Sequence, residues 1–210
     1  MPYVLGAIDG CHVKVKAPSR MQADYLDRTL HHSVTLLAVC DVEKRFTFIS
    51  AGFPGSAHDS RVFKNSVLYE KIKKEPSTVF PTQKHYIIGD SAFPLLEHLL
   101  VPFRKSDNLA CNRKKFNKVL SQTRVVVEHS FGLLKGRFRK LRHLDVDIDR
   151  AQYLITACCV LHNLTICNHE EIALLEQEII KEEHVHEETE YDNDQNEEGE
   201  MKREMIVNIL

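Results

Sequence analysis

The chain has 210 residues, 43% of them hydrophobic and 28% charged, enough for one buried core without disulfides or a structural metal. The net charge of −2 hides a split: residues 170–210 hold fifteen acids against three bases, which leaves 1–169 with twenty-five bases against fifteen acids. A basic body joined to an acidic end is a distribution met in nucleic-acid-associated proteins. The six cysteines form no CxxC pair, and the opening MPYVLGAIDG lacks the basic and long apolar regions of a secretory signal, which points to reduced thiols in the cytosol or nucleus. Apolar stretches fall far short of the roughly 20 residues that a membrane span requires.

In chain order, Val4–Ile8 reads as a buried strand, punctuated by Asp9-Gly10 and followed by an alternating, half-exposed strand over His12–Lys16. A polar loop covers Pro18–Arg28. Ser33–Cys40 and Arg45–Ala51 read as an antiparallel pair joined by a turn at Asp41–Lys44, and Gly52–Ser56 as a breaker-rich loop. A helix is expected over His58–Lys73, with Ser56 as its N-cap and Asp59 favouring its first turn. His85–Gly89 is a short strand ending at Asp90, and Pro94–Leu100 a short helix. Residues 111–142 form a long helix, breakable near Ser121, whose stripe Val127, Phe131, Leu134, Phe138, Leu141 steps by 4, 3, 4, 3. Ile148–Cys167 is a second helix, so apolar between Leu154 and Leu164 that it should be buried. Glu170–Glu183 fits an acidic amphipathic helix, and His184–Glu200 is polar enough for disorder. The order of elements predicts a mixed α/β sheet covered by helices.

Three acids stand at informative places. Asp9 and Asp90 each close an apolar strand, where ligands gather in mixed sheets, and Glu128 lies beside the apolar stripe of the long helix. Singly, each is more often a turn residue or a solvated one. Brought together, they would repel, and a divalent cation relieves that penalty; oxygen ligands without thiolates suit Mg²⁺ or Mn²⁺. Two such ions roughly 3.5–4 Å apart can activate water and stabilise a leaving oxygen in phosphodiester cleavage. Around Glu128, residues 101–143 hold twelve bases and only two acids, a setting suited to a polyanion. Arg124 and Lys135 share the helix face of Glu128 and are candidates for phosphate contact, with Arg137 and Arg139 less well aligned. His12 reads as a turn histidine. Cys158, Cys159, His162 and Cys167 match no zinc-ligand spacing, and Cys158 and Cys159 read as small core residues. His184 and His186 form only a weak metal pair.

Six segments then coincide with one family: GAIDGCHVKVKAP (6–18), HSVTLLAVCD (32–41), GFPGSAHDSRVF (52–63), YIIGDSAFPL (86–95), RVVVEHSFGLLKGRFRKL (124–141) and ACCVLHNL (157–164). In order and spacing they resemble the DDE endonuclease domain of PIF/Harbinger transposases, in particular the transposase-derived nucleases of animals. The resemblance implies a ribonuclease-H-like fold over 1–167 with an acidic tail over 168–210. It implies an Asp9–Asp90–Glu128 triad that binds divalent metal and hydrolyses DNA phosphodiesters, with Asp59 as a further metal ligand or supporting group. It also implies a nuclear protein, and a Myb/SANT-like partner that supplies DNA binding. The alternative is a domesticated or truncated, inactive module that binds DNA or protein. Two positions depart from the family pattern: Cys11 stands where Thr is frequent, and Asp27-Arg28-Thr29 replaces a common Asn-Arg-Lys. Full-length relatives carry a further N-terminal region, so the resemblance implies either a fragment or dependence on a partner.

Overall fold

The computed structural model describes residues 1–104, 106, 109–166 and 196–210. It is a mixed α/β fold built on one five-stranded sheet of order β3-β2-β1-β4-β5. The strands are β1 (Val4–Lys14), β2 (Ser33–Cys40), β3 (Phe46–Pro54), β4 (Tyr86–Ile88) and β5 (Leu99–Leu100). β3, β2 and β1 pair antiparallel, and β1, β4 and β5 pair parallel. Every residue of β2 is buried, as expected of a strand covered on both faces.

β1 is longer than its sequence suggests. Asp9-Gly10 does not interrupt it: the register against β2 runs unbroken from Ala7–Cys40 to Lys14–Ser33. Asp9 therefore sits inside a strand, not at its end, and His12 is a strand residue rather than a turn residue. β3 also runs three residues past Ala51, because Phe53 and Pro54 still pair with Thr35 and Val34. Gly52 takes φ +107°, and Gln152 packs where a Cβ would stand.

The expected helix over His58–Lys73 is two, α1 (Asp59–Lys64) and α2 (Val67–Lys74). The break falls where Ser66 caps α2, its hydroxyl accepting from Tyr69 N at 3.3 Å. Ser56 is not the cap of α1; its hydroxyl donates instead to Asp24 O at 2.6 Å. The helix expected at Pro94–Leu100 is absent: Leu99 and Leu100 form β5 against Ile87 and Ile88. The leucine spacing there suits a helix, but strand pairing at the sheet edge overrides it.

α3 (Cys111–Arg137) runs through Ser121 without a break and ends at Phe138, followed by a 3₁₀ turn at Arg139–Arg142. α4 (Ile148–Thr165) packs on β3 through Ala151, Ile155, Cys159 and His162, a single stripe at helical spacing. Its other side is not buried as its composition suggests. Tyr153, Leu154, Val160, Leu161 and Leu164 are exposed, Leu164 at 70%. Glu197–Ile209 forms α5, which docks Ile206 and Val207 into the core beside α3 and β5. Its first residues fall in the stretch expected to be disordered. The possible Glu170–Glu183 helix, Cys167, His184 and His186 lie outside the described residues. Among the described residues, no helix is long and apolar enough to cross a membrane.

Candidate active site

The site follows from the way β4 stops. The last parallel pair is Ala7–Ile88. Asp9 and Asp90 each lie two residues beyond it, so the period-two alternation of side chains sends both carboxylates to one face of the sheet. Past that pair, β1 runs on with β2 on one side and, among the described residues, no strand on the other until Leu144 bridges to Val15. The acids thus sit at the mouth of a crevice where two parallel strands diverge, a place where α/β sheets collect ligands. Asp90 is held in a tight turn by accepting from Ala92 N at 2.9 Å, and Asp9 accepts from Gly10 N at 2.9 Å.

α3 crosses this same face of the sheet and brings Glu128 to the acids. Arg124, one turn earlier, forms the bridge: Nη1 donates to Asp9 Oδ2 at 2.6 Å, and Nη2 donates to Glu128 Oε1. The Asp9 and Arg124 side chains are 16% and 18% exposed, and Glu128 30%.

Asp59 arrives from the opposite layer. Gly10 follows Asp9 in the strand and therefore faces the other side, where α1 lies. A Cβ on residue 10 would stand 2.7 Å from the carboxyl carbon of Asp59, closer than any real contact. Glycine leaves room there for the Asp59 carboxyl to lie against the β1 backbone. Both Asp59 and Asp90 raise the cost of charging Asp9. At the N-terminus of the same helix, Arg28 approaches Nδ1 of His58 at 3.2 Å.

Electrostatics follow from burial and crowding. Burial pushes the Asp9 carboxyl up to about 7; Arg124 opposes this, while Asp90 and Asp59 add to it. Asp90 is also raised, chiefly by burial. For Arg124, burial disfavours the cation, but Asp9, Glu128 and Asp90 outweigh it and hold the guanidinium more firmly charged than usual. Among the described residues, no three His, Cys, Asp or Glu side chains stand close enough to hold a metal ion as they are. The donor chemistry nonetheless fits a hard cation: the acids offer only carboxylate oxygens, and burial, with Asp90 and Asp59 adding to it, disfavours a bare charge on Asp9 in a way a cation would relieve.

The basic residues divide. Lys135 Nζ donates to His12 O at 2.8 Å and so lies along the exposed stretch of β1. Arg139 is exposed on the 3₁₀ turn. Arg137 faces α4 instead, with Nη1 3.3 Å from His162 Nδ1. The sequence reading missed a further group. Leu144 N donates to Lys14 O at 2.8 Å and Lys16 N donates to Leu144 O at 3.2 Å, which docks the Arg139–Arg142 turn beside the end of β1. Lys14, Lys16, Lys140 and Arg142 thereby join one basic edge, about 17 Å along β1 from Asp9 at the usual strand rise. Its signs in the sequence were the half-exposed alternation over His12–Lys16 and the run of bases over 101–143.

The other candidate ligands are engaged in the core. Nε2 of His162 lies 3.0 Å from Lys44 O, and its ring packs 5.0 Å from that of Phe46. Burial lowers the His162 pKa and pushes the Cys159 thiol up to about 12.

Residues 8–163 match the model of the DDE superfamily endonucleases. The chain belongs to that family. It is 33% identical over 170 residues to a rat (Rattus norvegicus) protein named "Putative nuclease HARBI1", covering 79% of this chain and 47% of the relative. The human (Homo sapiens) protein of the same name is 32% identical over 173 residues, with the same coverage. "Protein ALP1-like" of Arabidopsis thaliana is 33% identical over 178 residues, covering 79% of this chain and 44% of the relative. The chain thus spans about half the length of the curated relatives it matches. No solved structure matches it significantly. The relationship to PIF/Harbinger-derived endonucleases read from the six segments holds, and the match begins at Ile8, one residue before Asp9.

Proposed function

We propose that this endonuclease-family chain is a divalent-metal-dependent DNA nuclease with a ribonuclease-H-like fold, in which Asp9, Asp90 and Glu128 are the catalytic acids. The observation that carries this reading is the register of β1 and β4, which turns Asp9 and Asp90 to one face beneath the helix that bears Glu128. Asp9, Asp90 and Glu128 would hold Mg²⁺ or Mn²⁺, with Asp59 supporting from the far side of Gly10. When bound, the metal supplies charge for the departing oxygen and acidity for the attacking water.

The remaining work falls to the chain itself. Burial of Asp9 and Asp90 favours charge neutralisation at the site over solvation by water. Arg124, Lys135 and Arg139, together with Lys14, Lys16 and Arg142, would hold the phosphate backbone along β1 and position the scissile bond over the acids. Arg137, turned toward α4, would brace the helices that carry this edge. The same reading expects a nuclear protein that works with a Myb/SANT-like DNA-binding partner.

Supercoiled DNA tests this reading. Wild type should nick it only with Mg²⁺ or Mn²⁺, and Asp9→Asn, Asp90→Asn and Glu128→Gln should each abolish nicking. Equal nicking by wild type and all three variants would contradict it.

One observation favours a second reading, an inactive DNA- or protein-binding module: Arg124 pairs with both Asp9 and Glu128. Metal titration separates the two. A nuclease site gains thermal stability with metal by mass action, and the triple acid variant does not. Salt-sensitive DNA binding with no metal effect would favour the module.

A further inference from the structure

Arg124 holds Asp9 and Glu128 at once, one with each terminal nitrogen. A guanidinium suits this geometry because its donors form a rigid planar fork. The pair is largely withdrawn from solvent, so salt screens it weakly. Asp90 adds attraction to the same cation. Arg124 therefore occupies, with a single positive charge, oxygens that a divalent cation would need. A carboxylate oxygen already accepting a short charged hydrogen bond has less to offer a metal, and two cations at one site repel.

We propose that Arg124 is an exchangeable counter-cation: it closes the acid cluster in the metal-free protein and must leave Asp9 and Glu128 when a divalent cation binds. This rests on the metal-dependent nuclease reading above. Three consequences follow. In the metal-free protein Arg124 offsets part of the repulsion among the acids. Apparent metal affinity is weakened by the competition. The guanidinium is released for phosphate contact only once the metal is in place. Each follows from one helical turn between Arg124 and Glu128 and from the position of Asp9 beneath both.

The experiment is Mn²⁺ binding to the full chain by isothermal titration calorimetry at pH 8, without DNA. Wild type, Arg124→Gln, Arg124→Lys and the Asp9→Asn/Asp90→Asn/Glu128→Gln triple variant are compared, with circular dichroism confirming the fold. Removing the competitor should tighten Mn²⁺ binding by Arg124→Gln about fivefold or more, the scale of an ordinary coupling between sites. Arg124→Lys should tighten it less, because an ammonium keeps the charge but loses the fork; it decides the question if the glutamine variant does not fold. A merely structural role for Arg124 would weaken binding or leave it unchanged, so the gain is diagnostic. Unchanged or weaker binding by the Arg124 variants, with binding lost in the triple variant, overturns this inference and leaves the nuclease reading standing. Equal Mn²⁺ binding by wild type and the triple variant overturns both.

Discussion

The two halves of β1 share a strand and differ in their neighbours. From Val4 to Ala7 it pairs with β4, β2 joins on the other side at Ala7, and the half ends in the fully buried Ala7 and Ile8. From Asp9 to Lys14 it pairs with β2, meets Leu144 only at its far end, and carries an acid, a glycine, an exposed histidine and a lysine. The first half is core and the second is site, and what changes between them is the end of β4. Truncating one strand opens a crevice without breaking its neighbour, so the acids rest on a rigid floor.

The largest expected effect lies in the closed half. Ile8→Ala should cost about 2–5 kcal/mol in urea denaturation, the range for an emptied core position. A loss well under 1 kcal/mol would show that this half is not the packed anchor.

Gly10→Ala, two residues on, should cost about 1–3 kcal/mol through forced overlap with the Asp59 carboxyl. The same change in an Asp59→Ala background should cost little. An equal cost in both backgrounds would mean that the approach of Asp59 is not the reason for glycine.

Two aspartates should respond to pH with opposite sign. Asp9 is raised to about 7, so the folded state binds the extra proton. Its contribution to stability is complete below the ordinary carboxylate value near 3.8 and is lost as pH climbs through about 7. Asp9→Asn should flatten that fall. For Asp27, burial alone would raise the pKa, but hydrogen bonds from Thr29, His31 and Ser33 outweigh it and lower it to about 2. Its contribution is present above 3.8 and is lost as pH falls toward 2, and Asp27→Asn should remove that acid sensitivity. Urea midpoints between pH 2 and 8 measure both, and unchanged slopes in the variants would refute the assignments.

The smallest effect concerns the open end. Lys14→Ala with Arg142→Ala should leave stability nearly unchanged and weaken duplex DNA binding regardless of sequence. The salt slope should fall by about one unit for each phosphate that the variant no longer neutralises. An unchanged slope would remove the basic edge from the DNA path.

The acids were legible because each interrupts an apolar run, and β2 because a buried strand is continuous in sequence. What escaped had physical reasons. Gly10 reads as a breaker, yet here it makes room for Asp59. Gly52-Phe53-Pro54 reads as a loop, but backbone pairing with β2 carries β3 through it. Leu95, Leu96, Leu99 and Leu100 suit a helix, and the free edge of β4 claimed the last two as a strand. The uniform apolarity of α4 suggested burial on all sides, but the sheet covers only one stripe. Arg124 showed only its helical neighbour Glu128; its second partner, Asp9, lies 115 residues away in sequence.

We propose that Asp9, Asp90 and Glu128 form one metal-binding unit where β1 runs past the end of β4. Calorimetric titration of wild type and of the triple acid variant with Mn²⁺ tests it most directly. Wild type should bind Mn²⁺ saturably and the folded variant not at all. Equal binding by the two would contradict it.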